Sequence, residues 1–297
     1  MRIGARGSAL ALAQARLVAE LLGSGEVVAI QTAGDERAAS GDKSRWVNGL
    51  EDALRAGEID LAVHSAKDVP GELAEGLALL GAPARGPAED VLCGADSLEG
   101  LAAGARVGTS SVRRAAQLLA ARADLEVVAV RGNVDTRLRK LSEGEYDAIV
   151  LARAGLRRLG REEEAGATLD PARFVPSPGQ GTLALEGRGE DEPTRAAVQA
   201  ITDADAFACL LAERAVARAL DASCNTPLGA HAAPAGCGCL GLRAWVGVPD
   251  GSAWVSDELL GGFYDPDALG RRVAERLLVA GAGELLKRAE EMAVARA

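Results

Sequence analysis

The chain has 297 residues, of which 48% are hydrophobic and 26% charged, enough apolar material for two or three separate cores. Its net charge of -10 and its 3% aromatic content disfavour nucleic-acid binding, which needs basic surface and stacking side chains. No run of about 18 apolar residues is present and no apolar leader follows Met1, so we expect a cytoplasmic protein without transmembrane helices.

The first part of the chain alternates short apolar runs with amphipathic helical segments. Ser8 follows a first strand and is placed to cap a helix that ends near residue 22. Strands are predicted at 27–30 and 59–64, and helical spacing of apolar residues begins between them at Trp46. This alternation favours mixed, mainly parallel sheets with helices on both faces, which is an α/β fold.

Two segments rich in proline and glycine, 81–87 and 175–181, interrupt this alternation. A helix is predicted at 111–122, and strands are predicted at 105–108, 126–130, 146–151 and 182–186. We expect the last strand to return to the first sheet. The chain would then form a discontinuous domain 1 (1–86 and 182–202) and a domain 2 (87–181), with a ligand cleft between them.

From about residue 203 the pattern changes to that of a small α+β domain, predicted to span 203–297. Alternating apolar residues around a Pro-Asp-Gly turn at 249–251 predict an antiparallel hairpin. The predicted helices of this domain are 206–220, 266–279 and 283–295. A loop at 221–225 follows the first of them and contains Cys224.

Arginine recurs at the predicted strand-to-helix junctions: Arg113, Arg114, Arg131, Arg137, Arg153, Arg157 and Arg158. Arg113 and Arg114 occupy the first turn of a helix, where basic residues oppose the helix dipole unless an anion binds. Arginine is suited to bidentate recognition of carboxylate or phosphate. The pattern therefore predicts a ligand that carries several negative charges.

Two residues are candidates for chemistry. Asp68 follows Lys67 at a strand end, where the lysine would favour an ionised carboxylate, although a Lys-Asp pair before proline is more often a simple turn. Cys224 is either an inert thiol or a nucleophile or attachment point. Cys237 and Cys239 are too closely spaced for the usual zinc motif, so no metal is expected.

Seven blocks, in this order, resemble the porphobilinogen deaminase (hydroxymethylbilane synthase) family over essentially the whole chain. They are RGSALA from Arg6 with Gln14, DLAVHSAKDVP from Asp60, GTSSVRR from Gly108, RGNV from Arg131 with TRL from Thr136, YDAI from Tyr146 with AGLRRLG from Ala154, PGQG from Pro178, and Cys224. Each block alone is weak, but the ordered set is specific.

The resemblance implies two similar domains, like those of bilobal anion-binding proteins, and a third domain that carries a dipyrromethane cofactor on the sulfur of Cys224. It implies a monomeric transferase of tetrapyrrole and heme biosynthesis. Four porphobilinogen molecules are joined head to tail with loss of ammonia, and water then releases hydroxymethylbilane. Asp68 matches the catalytic aspartate, which would bind pyrrole N–H groups and stabilise the cationic azafulvene left by ammonia.

By the same resemblance, the residues that hold the cofactor are Ser65, Lys67, Thr109, Ser111, Arg113, Arg114 and Arg137. Those that hold the incoming pyrrole are Arg6, Ser8, Gln14, Arg131, Arg158 and Gln180. Lys43 and Trp46 are expected to replace the lysine and the aromatic lid of a family loop that this chain does not match. The alternative is a noncatalytic bilobal receptor for a polycarboxylate ligand, which would not need a domain that presents Cys224.

Overall fold

Three β-sheets organise the chain in the computed structural model. It describes residues 1–30, 44–222, 226–236 and 238–294, with only the backbone described for residues 44–46. Two of the sheets combine parallel and antiparallel pairs, and the third is purely antiparallel. The predicted fold class is therefore confirmed.

The first sheet has the strand order β2-β1-β3-β9-β4. Its strands are β1 (Arg2–Arg6), β2 (Glu26–Ile30), β3 (Leu61–Ser65), β4 (Leu77–Gly81) and β9 (Leu183–Arg188). Helices α1 (Ala9–Leu21), α2 (Ser44–Arg55) and α6 (Glu192–Ile201) cover it. The Ser8 hydroxyl caps α1 by accepting the Ala11 N–H at 3.3 Å, as predicted.

The second sheet has the strand order β5-β8-β6-β7. Its strands are β5 (Asp90–Cys93), β6 (Arg106–Gly108), β7 (Glu126–Val128) and β8 (Ala148–Ala152), and its helices are α3 (Val112–Ala121), α4 (Val134–Ser142) and α5 (Arg153–Arg158). Ser111 and Asn133 cap α3 and α4. Helices α3, α4 and α5 therefore follow β6, β7 and β8, so the predicted strand-to-helix junctions that carry arginine are present.

The third sheet has the strand order β10-β11-β12. Its strands are β10 (Leu228–Ala235), β11 (Cys239–Gly247) and β12 (Trp254–Gly261), and its helices are α7 (Ala204–Ala219), α8 (Pro266–Val279) and α9 (Ala282–Val294). The predicted hairpin is thus incomplete, because β10 was missed. That strand is rich in alanine and contains Pro234, a composition that disfavours strand prediction but is tolerated at a sheet edge.

The segments that cross between the first two sheets meet at one buried carboxylate. Glu213 of α7 is fully buried and pairs with Arg85 of the first crossover at 2.7 Å. It also accepts the N–H of Gly179 in the second crossover at 2.6 Å and the N–H of Ala232 in β10 at 2.7 Å. One side chain therefore ties both crossovers to the C-terminal sheet.

The strands β4 and β5 and helix α6 were not predicted. The two strands are short and flank a Pro/Gly-rich segment, which obscures their periodicity.

Among the described helices, none is both long enough and apolar enough to cross a membrane.

The crossing of α7 and α8 depends on Gly270. A Cβ there would press against the carbonyl oxygen of Ala212 and lie 2.5 Å from the Cβ of Ala215. We expect Gly270→Ala to cost about 1–3 kcal/mol, as overpacking does. Gly283→Ala is the matched control, because a Cβ at this helical glycine meets only Leu278 at 3.8 Å. Thermal unfolding should show a lower Tm for the first variant alone, and equal Tm values would contradict the packing argument.

Candidate active site

Two adjacent cavities lie where the first two sheets face each other. The anion cavity, of about 550 Å³, is lined by Lys67, Arg114, Arg137 and Arg158 among others. The aspartate cavity, of about 470 Å³, is lined by Arg6, Ser8, His64 and Asp68 among others. The two share Leu10, Gln14 and Ser65 as a common wall.

The shared wall is polar and held in place internally. The Gln14 amide nitrogen donates to the Ser65 hydroxyl at 2.8 Å, and that hydroxyl lies 3.2 Å from the Gln14 amide oxygen. Gln14 is buried on α1, whereas Ser65 ends β3 and is partly exposed. A ligand group in either cavity can therefore exchange hydrogen bonds with the same pair.

Arg137 and Arg158 are two of the positively charged side chains that line the anion cavity. Arg137 donates to the Gly132 carbonyl at 2.8 Å, and Arg158 donates to the Gly181 carbonyl at 2.6 Å. Among the described residues, neither arginine has an acidic partner in an ion pair. Burial lowers the pKa of both side chains, to about 10 for Arg158, and the nearby charge of Arg114 adds to the effect at Arg137. A bound anion would offset this penalty.

Arg114 is different, because it already pairs with a protein carboxylate, which it shares with Arg113. Asp90, at the start of β5, lies 2.8 Å from Arg113 and 2.7 Å from Arg114. Burial alone would raise the pKa of Asp90, but the two arginines hold it well below the usual range. Asp90 therefore supplies part of the negative charge that the two arginines of α3 require. Sequence reasoning missed Asp90, although arginines in a first helical turn signal an anionic partner.

Asp68 is positioned by a tight turn and by the second crossover. It ends a single 3-10 turn, Ala66–Asp68, that directly follows β3. Gly179 has a φ of +75° and packs so closely that a Cβ there would lie 2.9 Å from the Cβ of Ala66. Only glycine meets both requirements easily. The glycine of the Pro178 block therefore lets the crossover support the Lys67-Asp68 turn.

A second buried pair underlies this turn and was also missed. His64 on β3 lies 2.8 Å from Glu186 on β9, and both side chains are almost completely buried. His64 additionally lines the aspartate cavity. A lone histidine in an apolar strand has no sequence signal that would separate a paired core residue from a site residue.

The predicted site residues fall into three groups. Those that line a cavity are Arg6, Ser8, Gln14, Ser65, Lys67, Asp68, Arg114, Arg137 and Arg158. Those that line neither cavity are Thr109, Ser111, Arg113, Arg131 and Gln180. Those that lie outside the described side chains are Lys43, Trp46 and Cys224.

The second group is mostly occupied with internal bonds. Ser111 caps α3 through the N–H of Arg114, and the Thr109 hydroxyl accepts the Ser111 N–H. Gln180 is 1% exposed and donates to Asp90 at 2.8 Å. Arg131 is exposed on the loop before α4. Ser111 and Gln180 therefore contact Arg114, which lines the anion cavity, whereas Arg131 lies at the surface.

The chain matches two family models. One is described as "Porphobilinogen deaminase, dipyromethane cofactor binding domain" and matches residues 1–196, and the other as "Porphobilinogen deaminase, C-terminal domain" and matches residues 207–279. Curated proteins named porphobilinogen deaminase from Stenotrophomonas maltophilia and Thermus thermophilus are 46% and 43% identical. Each alignment covers 96% of this chain, and 98% and 97% of the respective relative.

Among solved structures, a periplasmic substrate-binding protein of an ABC transporter from Coxiella burnetii is similar with a TM-score of 0.42 and 14% identity, over 68% of this chain and 91% of that one. The two family models and the near full-length relatives decide the assignment. The chain belongs to the porphobilinogen deaminase family.

Proposed function

We propose that this chain joins porphobilinogen units head to tail on a dipyrromethane cofactor, with the cofactor in the anion cavity and the reacting pyrrole beside Asp68. It is a transferase of the deaminase family, and the cofactor binding domain of that family spans residues 1–196. The observation that carries the proposal is the pair of half-buried arginines, Arg137 and Arg158, next to the aspartate cavity. A noncatalytic receptor is not favoured, since the relatives named deaminase match nearly the full length.

The residues of the anion cavity suit dipyrromethane. Two porphobilinogen units bring four carboxylates, and Arg137 and Arg158 each offer a guanidinium without an acidic partner among the described residues. Lys67 and Arg114 add two further cations to the same wall. Bidentate pairing of arginine with carboxylate explains the choice of arginine here. When bound, the cofactor supplies the nucleophilic pyrrole carbon to which new units are added.

Asp68 would act on the substrate pyrrole. Its carboxylate accepts the pyrrole N–H and stabilises the positive charge that develops on the ring as ammonia departs. A preformed anion next to developing positive charge stabilises the transition state without having to reorganise. Arg6 and Ser8, in the same cavity, would hold the acetate and propionate of the substrate. Gln14 and Ser65 border both cavities and would contact both ligands.

The family resemblance assigns Arg158 to the incoming pyrrole, and we change that assignment. Arg158 lines the anion cavity rather than the aspartate cavity, so we propose that it holds a cofactor carboxylate. For Thr109, Ser111, Arg113 and Gln180 we propose indirect roles. Ser111 and Gln180 bond to Arg114, Thr109 bonds to Ser111, and Arg113 shares Asp90 with Arg114. Arg131 would meet the growing chain only beyond the two cavities.

The attachment point remains Cys224 in our proposal. Its position falls within the span of the C-terminal family model, residues 207–279. Burial raises the pKa of the Cys93 thiol to about 11 and that of Cys209 to about 12, so both are poor nucleophiles. Burial thus argues against two of the five cysteines as attachment points.

We also propose the domain limits 1–86 with 182–202, 87–181 and 203–297. The return of β9 to the first sheet and the separate third sheet support them. We further propose a cytoplasmic monomer that binds no nucleic acid. The net charge of -10 supports the last point, and the family resemblance supports the others.

Intact mass spectrometry tests the proposal most directly. The purified protein, or the protein after incubation with porphobilinogen, should carry a mass excess of two deaminated pyrrole units. Cys224→Ala should lack it, because the thioether bond cannot form. If the native protein gained no mass even with porphobilinogen, the deaminase proposal would fail in favour of the polycarboxylate receptor.

Alkylation by iodoacetamide at pH 8 tests the argument from buried thiols. Peptide mapping should find Cys93 and Cys209 unmodified in the native protein, since their raised pKa values and burial leave almost no accessible thiolate. Both should be alkylated in urea, which serves as the control. Rapid labelling of either residue in the folded protein would reopen its candidacy for cofactor attachment.

Asp68→Asn tests the catalytic role. We expect kcat to fall by a factor of about 100 or more, the usual scale for losing a charged catalytic group, while the protein remains folded by circular dichroism. Asp60→Asn is the matched control, because Asp60 precedes the same strand but pairs with Arg2 at 2.7 Å near the surface. Retention of most activity in Asp68→Asn would remove Asp68 from the mechanism.

A further inference from the structure

Asp90 lies at the centre of a buried charge network behind the anion cavity. Its side chain is 1% exposed. One carboxylate oxygen accepts from Arg113 at 2.8 Å, and the other accepts from the Arg114 Nε at 3.0 Å and from the Gln180 amide at 2.8 Å. The network therefore joins β5, helix α3 and the second crossover through a single anion.

The two arginines that Asp90 holds face different ways. Arg113 donates to the Gln117 side chain at 3.1 Å and to the Val175 carbonyl at 2.9 Å, and it does not line the cavity. Arg114 donates to the Val150 carbonyl at 3.0 Å and does line the cavity. Arg113 is thus a structural brace, whereas Arg114 can face a ligand.

Gln180 carries the network towards the cavity. Its amide nitrogen donates to Asp90 and to the Ala88 carbonyl at 2.7 Å, which uses both N–H groups. Its amide oxygen faces the Lys67 ammonium at 3.3 Å and Arg114 at 3.4 Å. Asp90 and the Ala88 carbonyl together determine the orientation of this amide, which places its oxygen between two cavity cations.

The charges in this network do not balance. One carboxylate faces two guanidinium groups, so the buried cluster holds a net charge of +1, and Arg137 and Arg158 lie on the same cavity wall. Without Asp90 the cluster would hold +2. Buried charges that lose their partner are strongly destabilising, unless another anion takes its place.

We infer that Asp90 is a positioning residue: it is the resident counter-anion that keeps Arg114 and the anion cavity in place before ligand carboxylates arrive. The inference rests on the proposed function, in that the ligand carboxylates are those of the cofactor. The Asp90 side chain is almost completely buried and does not line the cavity. It therefore acts through Arg114 and Gln180. Its negative charge compensates part of the positive charge that the ligand carboxylates compensate once they are bound.

A double-mutant cycle between Asp90→Asn and Cys224→Ala separates this role from a general structural one. The four proteins are the native chain, each single variant and the double variant, and the readout is Tm, with the cofactor content of each confirmed by intact mass. Asp90→Asn should lower Tm more in the Cys224→Ala background than in the cofactor-bound protein, because cofactor carboxylates partly replace the lost charge. We expect a difference of about 3 °C or more.

Two controls sharpen the cycle. Asp90→Glu keeps the charge and should show nearly equal costs in the two backgrounds. Val107→Ala removes buried volume from the same sheet without touching a charge, and its cost should also be equal. If Asp90→Asn behaved like Val107→Ala, the counter-anion role would be overturned.

Sulfate serves as a probe that does not require the cofactor. At equal ionic strength, sulfate in place of chloride should raise the Tm of Asp90→Asn/Cys224→Ala more than that of Val107→Ala/Cys224→Ala, since the second protein gains only the general salt effect. Equal responses would also overturn the inference. Should Asp90→Asn not fold, Asp90→Asn with Arg113→Met removes one charge of each sign, leaves Arg114 without its carboxylate, and predicts the same direction.

The outcomes distinguish the two proposals. A native protein that never gains the cofactor mass defeats the proposed function, whereas the sulfate comparison still tests Asp90. A native protein that gains the mass, together with equal costs of Asp90→Asn in both backgrounds, defeats the role of Asp90 alone.

Discussion

The Glu213 carboxylate is the point on which the arrangement of the three sheets depends. It is fully buried, and it binds Arg85 from one crossover, Gly179 from the other and Ala232 from β10. A buried anion needs such a complete set of donors, because a missing one would leave its charge uncompensated. The same contact that compensates Glu213 therefore holds both crossovers against the C-terminal sheet, and with them the turn that carries Asp68.

Charge compensation also explains the division of the cleft. Positive side chains are gathered at the ends of β3, β6, β7 and β8, and each must be neutralised by the protein, by solvent or by a ligand. Asp90 compensates one of the two charges on α3. Among the residues described, Arg137 and Arg158 face the cavity with carbonyl partners only. A ligand rich in carboxylates fits this remainder. The cleft therefore keeps positive charge for an anionic ligand, while Asp90 compensates part of the total positive charge.

Arginines that are close together in the sequence have different partners in the structure. Arg113 and Arg114 are neighbours in one helical turn, but only Arg114 lines the cavity. Arg153, Arg157 and Arg158 follow the same strand, yet Arg153 and Arg157 pair with Glu162 while Arg158 enters the cleft. Helical geometry turns successive side chains by about 100°, so sequence proximity alone could not separate these roles.

Much of the architecture could be predicted because it is a local property. Short apolar runs located most strands, and apolar residues at helical spacing located most helices. The cap at Ser8 follows from residue type and position. The strands β4, β5 and β10 escaped because they are short, or poor in β-branched residues, and are recognised only through their partners.

The sequence by itself determined the fold class, the order of the motifs and the anionic nature of the ligand, since periodicity and side-chain chemistry are written residue by residue. Only the tertiary structure decided which charges remain available. Asp90 lies 23 residues from Arg113 and Gln180 lies 90 residues from Asp90, yet they share one buried network. Compensation between charges depends on distance in space and on burial, and neither quantity exists until the chain has folded.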